Sequence, residues 1–271
     1  MDRGARAGAG REGRQMWIDY HTHPLAHGGV CCTEALLEGF VGTALANGLS
    51  ELGLTDHDEY LEAVDMTCVE EIRNRYPGIG VRFGVEVDHL VGPDEARKRR
   101  QRLSGYRFDY LIGSVHQIED WIFDHPDHID RYGEWDVDEL YREYFRRVAD
   151  AALSGEYQII GHLDIIKVFG YRPKRKIADL AEPALQAIKR SGVAVEINTN
   201  GLYKPAEEIY PCPDLLERCF LYNIPVTLGS DAHRAADVGR DLDRAAGLAR
   251  RTGYRKMVTF CGGNMSVVEL G

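Results

Sequence analysis

The sequence predicts an α/β fold of parallel strands closed into one barrel. Three observations predict it: short β-rich runs alternate seven times with stretches that carry amphipathic helices, no linker or composition break divides them, and most histidines fall at the carboxyl end of a strand run. A doubly wound open sheet shares the alternation, which by itself leaves both arrangements open. The chain has 271 residues, 44% hydrophobic and 28% charged, which supports a sizeable core and excludes disordered and collagen-like classes.

Taken in order, the first fifteen residues are Gly-, Ala- and Arg-rich without hydrophobic period and read as a flexible leader, so one domain is expected over 16–271. Strands are expected at about 16–20, 49–54, 80–87, 109–115, 157–162, 192–198 and 224–229. Between them lie helical stretches: TEALLEGFVGTALANG with a Thr N-cap, LEAVDMTCVEEIRNRY, PDEARKRRQRLSG, VDELYREYFRRVADAALSG, IADLAEPALQAIKRSG, PDLLERCFLYN and AADVGRDLDRAAGLARRTG. A final MVTFC run is expected to add an eighth, edge strand. The acidic stretch 119–139 contains Pro and Gly and reads as a solvated loop or lid, with His125 and His128 not expected as ligands.

Charge excludes several classes. Thirty-three Lys and Arg against 43 Asp and Glu leave a net −10, which repels nucleic-acid backbone and anionic lipid. The basic run at 96–102 has no interleaved aromatic residues and is expected as the solvated face of a helix. No run reaches the roughly 18 apolar residues of a membrane span and no secretory signal opens the chain, so a cytoplasmic location is expected. The six cysteines form no CxxC pair and are expected as reduced thiols. No GxSxG elbow, phosphate-binding P-loop or strand-following GxGxxG is present.

Polar residues gather where α/β barrels build their sites. DYHTHPLAH supplies His21, His23 and His27; GLTDH supplies Asp56 and His57; GVEVDH supplies Glu86, Asp88 and His89. Later strand ends carry His116, His162 with Asp164, Glu196 with Asn198, and Asp231 with His233. So many imidazoles and carboxylates at one rim would cost desolvation and charge repulsion unless cations offset it. The HxH pair is expected to reach one ion through a bend at Pro24. Glu86 is the expected bridge, because a carboxylate spans two ions and an imidazole does not. Asp56, Asp88 and Asp164 are expected to orient ligands through outer hydrogen bonds, and His89 to sit behind the ligands or in solvent.

The motifs HTH at 21–23, TDH at 55–57, GVE at 84–86, GSVH at 113–116, GHLD at 161–164, EINTNGLYKP at 196–205 and GSDAH at 229–233 resemble the polymerase and histidinol phosphatase (PHP) family. They run in family order over about 16–240, and EINTNGLYKP followed by EIYP is similar to the histidinol-phosphatase branch. The resemblance implies a distorted, TIM-like (β/α)7 barrel with three divalent ions, commonly Zn, Fe or Mn, and no organic cofactor. By motif, it implies His21, His23, Glu86 and Asp231 on one ion, Glu86, His116 and His162 on a second, and His57, His233 and His27 on a third. His27 lies closer to the HxH pair than the family's third histidine does. Relatives in that branch carry phosphate-binding arginines where this chain has Lys167 and Tyr203; lysine keeps a point charge without the fork and tyrosine keeps no charge. Lys204, Arg234 and Arg172 are nearby replacements.

The implied activity is metal-assisted hydrolysis of L-histidinol phosphate, with Glu86, Asp231 and His233 at the reacting centre and Asp231 expected to protonate the leaving alkoxide. A phosphoesterase for another small phosphate or a nucleotide, and a non-catalytic metal-binding module, remain as alternatives. A small phosphate ester is the expected partner; nucleic acid and membrane are not expected, and the oligomeric state is open.

Overall fold

Each of the seven expected strands forms, because each is an apolar run short enough to be buried on both faces. The computed structural model describes residues 16–271, and the leader expected at 1–15 lies outside the described residues. In chain order the strands are β1 (Ile18–Asp19), β2 (Glu51–Leu54), β3 (Gly80–Asp88), β4 (Tyr110–Ser114), the short pair β5 (Gln117–Ile118) and β6 (Trp121–Ile122), then β7 (Ile159–Ile160), β8 (Ala194–Asn198) and β9 (Val226–Gly229). The main sheet runs β1-β2-β3-β4-β7-β8-β9 with every pairing parallel. Its two ends meet: the Tyr20 amide donates to the Leu228 carbonyl at 3.0 Å and the His23 amide to the Ala232 carbonyl at 2.8 Å. That closure makes the sheet a nearly closed barrel and removes the open-sheet alternative.

Among the described residues, seven helices cover the outside: α1 (Glu34–Ala46), α2 (Met66–Arg75), α3 (Pro93–Leu103), α4 (Val137–Leu153), α5 (Ile177–Ser191), α6 (Pro213–Leu221) and α7 (Leu242–Thr252). Their starts follow local chemistry: Thr33 accepts from the Leu36 amide, Asp65 from the Thr67 amide, and Asp136 from the Asp138 and Glu139 amides. Two expected helices are shorter than read. LEAVDMTCVEEIRNRY splits into a 3-10 turn over Asp58–Ala63 and α2, because Asp65 caps a new start. AADVGRDLDRAAGLARRTG splits likewise, with Gly239 and Asp241 at positive φ between a turn at Ala235–Asp237 and α7. No helix among the described residues is long and apolar enough to cross a membrane.

Three other expectations change. The MVTFC run becomes β10 (Lys256–Cys261), but it pairs antiparallel with β11 (Asn264–Glu269) in a separate two-stranded sheet rather than joining the barrel. Gly262 and Gly263 at positive φ make the tight turn that lets this ladder close locally. The 119–139 stretch is no solvated loop: Trp121, Phe123 and Tyr132 are fully buried, and the Tyr132 hydroxyl donates to the Ile166 carbonyl at 2.9 Å. Its charges hid aromatic anchors. Within the basic run, Arg99 is buried rather than solvated, bonded to Glu156 at 2.8 and 2.9 Å and to the Leu90 carbonyl at 2.8 Å.

Candidate metal centre

Parallel strands in a barrel end on one rim, and the donors expected there converge on Glu86. Its carboxylate is fully buried at the end of β3 and lies within ion-pair distance of five imidazoles. Oε2 faces His57 Nδ1 at 3.1 Å, His21 Nε2 at 3.2 Å and His23 Nε2 at 3.4 Å; Oε1 faces His162 Nε2 at 2.8 Å and His116 Nε2 at 3.4 Å. Asp231, at the end of β9, puts Oδ1 3.3 Å from His23 Nε2 and 3.6 Å from His233 Nδ1. It holds φ 54°, a costly left-handed backbone for a non-glycine residue, and such strain clusters where a side chain must be aimed.

The HxH pair needs no bend. Alternate residues of an extended chain share a face, and the chain is still extended at Thr22, which bridges to Ala232; the turn begins only at Pro24. His21 and His23 therefore point the same way, with ring centroids 5.0 Å apart.

Among the described residues, four donor groups are close enough to hold an ion: His21, His23 and Asp231; His21, Glu86 and His162; His57, Glu86 and His116; and His23, His57 and His233. His27 is outside these groups, though its ring stands 4.5 Å from that of His233 and 5.4 Å from that of His57.

The remaining charges explain the donors' orientation. Glu196 Oε1 meets His21 Nδ1 at 2.7 Å, while Oε2 accepts from the His162 amide at 2.9 Å and from Asn198 Nδ2 at 3.1 Å. Gly229 permits this approach, since a Cβ there would collide with Glu196 Oε1. Asp88 Oδ1 meets His116 Nδ1 at 2.5 Å, as expected of an orienting acid. Asp56 instead accepts from the Leu25 amide at 2.7 Å, pinning the loop after the HxH pair. His89 is buried but turned away, bonded to Tyr157 at 3.0 Å and Asp150 at 2.8 Å. His125 and His128 bond backbone groups of their own segment, at 3.3 and 3.1 Å.

Electrostatics follow from this crowding. Burial disfavours charge on His21 and His116, yet Glu196, Glu86 and Asp88 outweigh it and hold both imidazoles well above their usual range. Burial likewise opposes ionisation of Glu86 and Asp231, but the surrounding histidines hold both carboxyls well below theirs. His23, buried among other imidazoles, is held well below its usual value. The buried carboxylates thus favour protons on two of the imidazoles.

The residues expected to bind phosphate are dispersed. Lys167 is corrected outright: it is fully buried, and its ammonium contacts Asp164 and Glu208 at 2.8 Å and the Ile209 carbonyl at 2.9 Å. Those three partners match its three donors, so none is left for a phosphate. Asp164 accordingly serves this ion pair rather than a ligand histidine. Tyr203, Lys204 and Arg234 are exposed, with Arg234 paired to Asp237 at 2.9 Å and Arg172 to Glu208 at 2.8 Å. No motif in the sequence singles out Arg240, whose guanidinium carbon stands 3.5 Å from the Tyr203 ring centroid. Its Nη2 reaches Asn200 at 3.4 Å, the Asn200 amide donates to Asn198 Oδ1 at 2.9 Å, and Asn198 Nδ2 reaches Asp231 at 3.4 Å.

Known proteins carry the same architecture. The PHP domain profile matches residues 19–200. A protein named "Probable histidinol-phosphatase" from Deinococcus radiodurans is 35% identical over 235 residues, covering 82% of this chain and 88% of its own. "Histidinol-phosphatase" of Lactococcus lactis is 29% identical over 259 residues, covering 90% and 94%. A solved Lactococcus lactis histidinol phosphate phosphatase, complexed with zinc, L-histidinol and phosphate, superposes with a TM-score of 0.75 at 24% identity and covers 92% of this chain and 98% of its own. With a profile matching most of its length and donors gathered on one rim, this chain belongs to the PHP family.

Proposed function

We propose that this chain is a metal-dependent phosphatase that hydrolyses L-histidinol phosphate to L-histidinol and phosphate. The observation that carries the reading is the buried carboxylate of Glu86, set among five imidazoles in a chain whose curated relatives bear the histidinol-phosphatase name.

The donors suit cations. Among the described residues, His21 Nε2, both ring nitrogens of His23, Glu86 Oε2 and His233 Nε2 are buried without a hydrogen-bond partner, which is costly unless something else satisfies them. Imidazole and carboxylate together accept zinc, iron and manganese. His21, His23, Glu86 and Asp231 would hold one ion, Glu86, His116 and His162 a second, and His57 and His233 a third, with His27 beside it. Bound there, divalent ions lower the pKa of water towards about 7 and so supply a nucleophile at neutral pH, and they polarise the phosphoryl oxygens.

The chain's own groups do the rest. Glu86 keeps both sides of the rim in one register, while Glu196 and Asp88 fix the ring orientations of His21 and His116. Asp231, whose carboxyl the surrounding histidines hold well below its usual value, is placed to accept a proton from the attacking water and then carries the proton that the leaving alkoxide needs. With Lys167 enclosed, Arg240 is the partly buried cation linked to this rim, and it supplies charge towards the phosphate with the exposed Lys204 and Arg234 outside it.

The test is phosphate release from a panel of phosphomonoesters, phosphodiesters and nucleotides, with metal content measured on the same purified sample. Histidinol phosphate is expected to rank first by kcat/KM; another ester ranking far above it overturns the substrate assignment.

A further inference from the structure

One acid beside this centre has no ion-pair partner among the described residues. Glu86, Asp231, Glu196 and Asp88 each face an imidazole, and Asp164 faces Lys167. Asp124 is partly buried, follows the fully buried Phe123, and among the described residues its carboxylate pairs with no cationic side chain. Its place is set by the β5–β6 hairpin, which turns the chain back so that the Phe123 amide donates to the carbonyl of His116 at 3.1 Å. Phe123 then wedges against Tyr144, with ring centroids 5.6 Å apart. That hydrogen bond from Phe123 sets Asp124 next to the strand end that carries His116, and His116, Asp88 and His162 are the charged groups that act on it most strongly, on the side of the centre where Glu86 Oε1 lies.

A carboxylate half-removed from water with no cationic side chain in contact is costly, since His116 and His162 act on it only from a distance, and a ligand that brings an ammonium into contact recovers that cost. L-histidinol phosphate brings one: its α-ammonium stands two carbons from the ester oxygen, so a phosphoryl group at the Glu86 centre places that ammonium on the surrounding wall. We propose that Asp124 is a specificity-determining residue that takes the substrate's α-ammonium, so that the site selects phosphate esters of cationic amino alcohols over their neutral counterparts. This rests on the phosphatase reading above.

The experiment compares kcat/KM for L-histidinol phosphate with that for its analogue lacking the amino group, in wild type, Asp124→Asn and Asp124→Glu, with bound metal quantified in each. A hydrogen bond between charged partners is worth about 10- to 100-fold in binding, so wild type is expected to favour the amino ester by that factor. Asp124→Asn brings the ratio close to one, and Asp124→Glu restores part of it. If wild type prefers the amino ester and Asp124→Asn keeps the full preference, Asp124 is not the selector while the phosphatase reading stands. Metal loss in Asp124→Asn, or equal losses on both esters, also overturns the proposal. If wild type hydrolyses neither ester, the phosphatase reading fails first.

Discussion

Glu196 shows how much of this centre depends on side chains behind the ligands. One carboxylate orients His21 through its ring nitrogen and His162 through its backbone amide, and both contacts are buried. Glu196→Gln keeps the shape and loses the charge, so metal affinity is expected to fall about 10- to 100-fold, read by competition with a chelator of known strength. Unchanged affinity would show that the barrel alone orients the histidines. Protons compete at the same place. His21 and His116 have raised pKa values in the metal-free protein, hence stay protonated below those values, and each must lose its proton to ligate. Metal uptake at neutral pH should therefore release protons, and affinity should weaken as pH falls. Calorimetry in buffers of different ionisation enthalpy measures the release, and zero release at pH 7 contradicts the assignment.

Two connecting segments behave as packed elements rather than loops. After β7, Lys167 neutralises the fully buried Asp164 at Oδ2, the same oxygen that accepts from the Cys212 amide at 3.0 Å. Lys167→Met leaves that carboxylate buried and unpaired at a cost of about 3–5 kcal/mol. The melting temperature is expected to drop while KM for the phosphate ester holds; a raised KM with an unchanged melt would restore Lys167 as a phosphate ligand. In the segment after β4, Trp121 is fully buried and its ring lies 4.9 Å from that of Tyr132. Trp121→Ala should cost about 3–5 kcal/mol and open residues 119–135 to limited proteolysis. Resistance equal to wild type would mean the hairpin is held by its backbone alone.

Across the whole molecule, the barrel carries a standing electrostatic conflict. Closure of β9 on β1 brings Asp231 and His233 against His21 and His23, which with His57, His116 and His162 gathers six imidazoles around the carboxylates of Glu86 and Asp231 in one largely buried volume. Cations bound only by the folded state relieve that conflict and add their binding free energy to stability. Stripping the purified protein with a chelator should lower its melting temperature, and zinc or manganese should restore it. A melt indifferent to both would mean that the histidines are satisfied without metal.

The sequence by itself determined the strand–helix alternation and the identity of the donors at the strand ends. Periodicity and residue type are local properties, and a parallel barrel turns every strand end into a rim position. His21, His23, His57, Glu86, His116, His162, Asp231 and His233 were legible for that reason. Only tertiary structure decided which atoms meet. It enclosed Lys167, set Glu196 behind two ligands, buried Trp121 beneath acidic neighbours, placed Asp124 beside His116 and folded β10 onto β11. Each of these outcomes depends on long-range closure and on which charges lose their water, and neither is written in the spacing of residues along the chain.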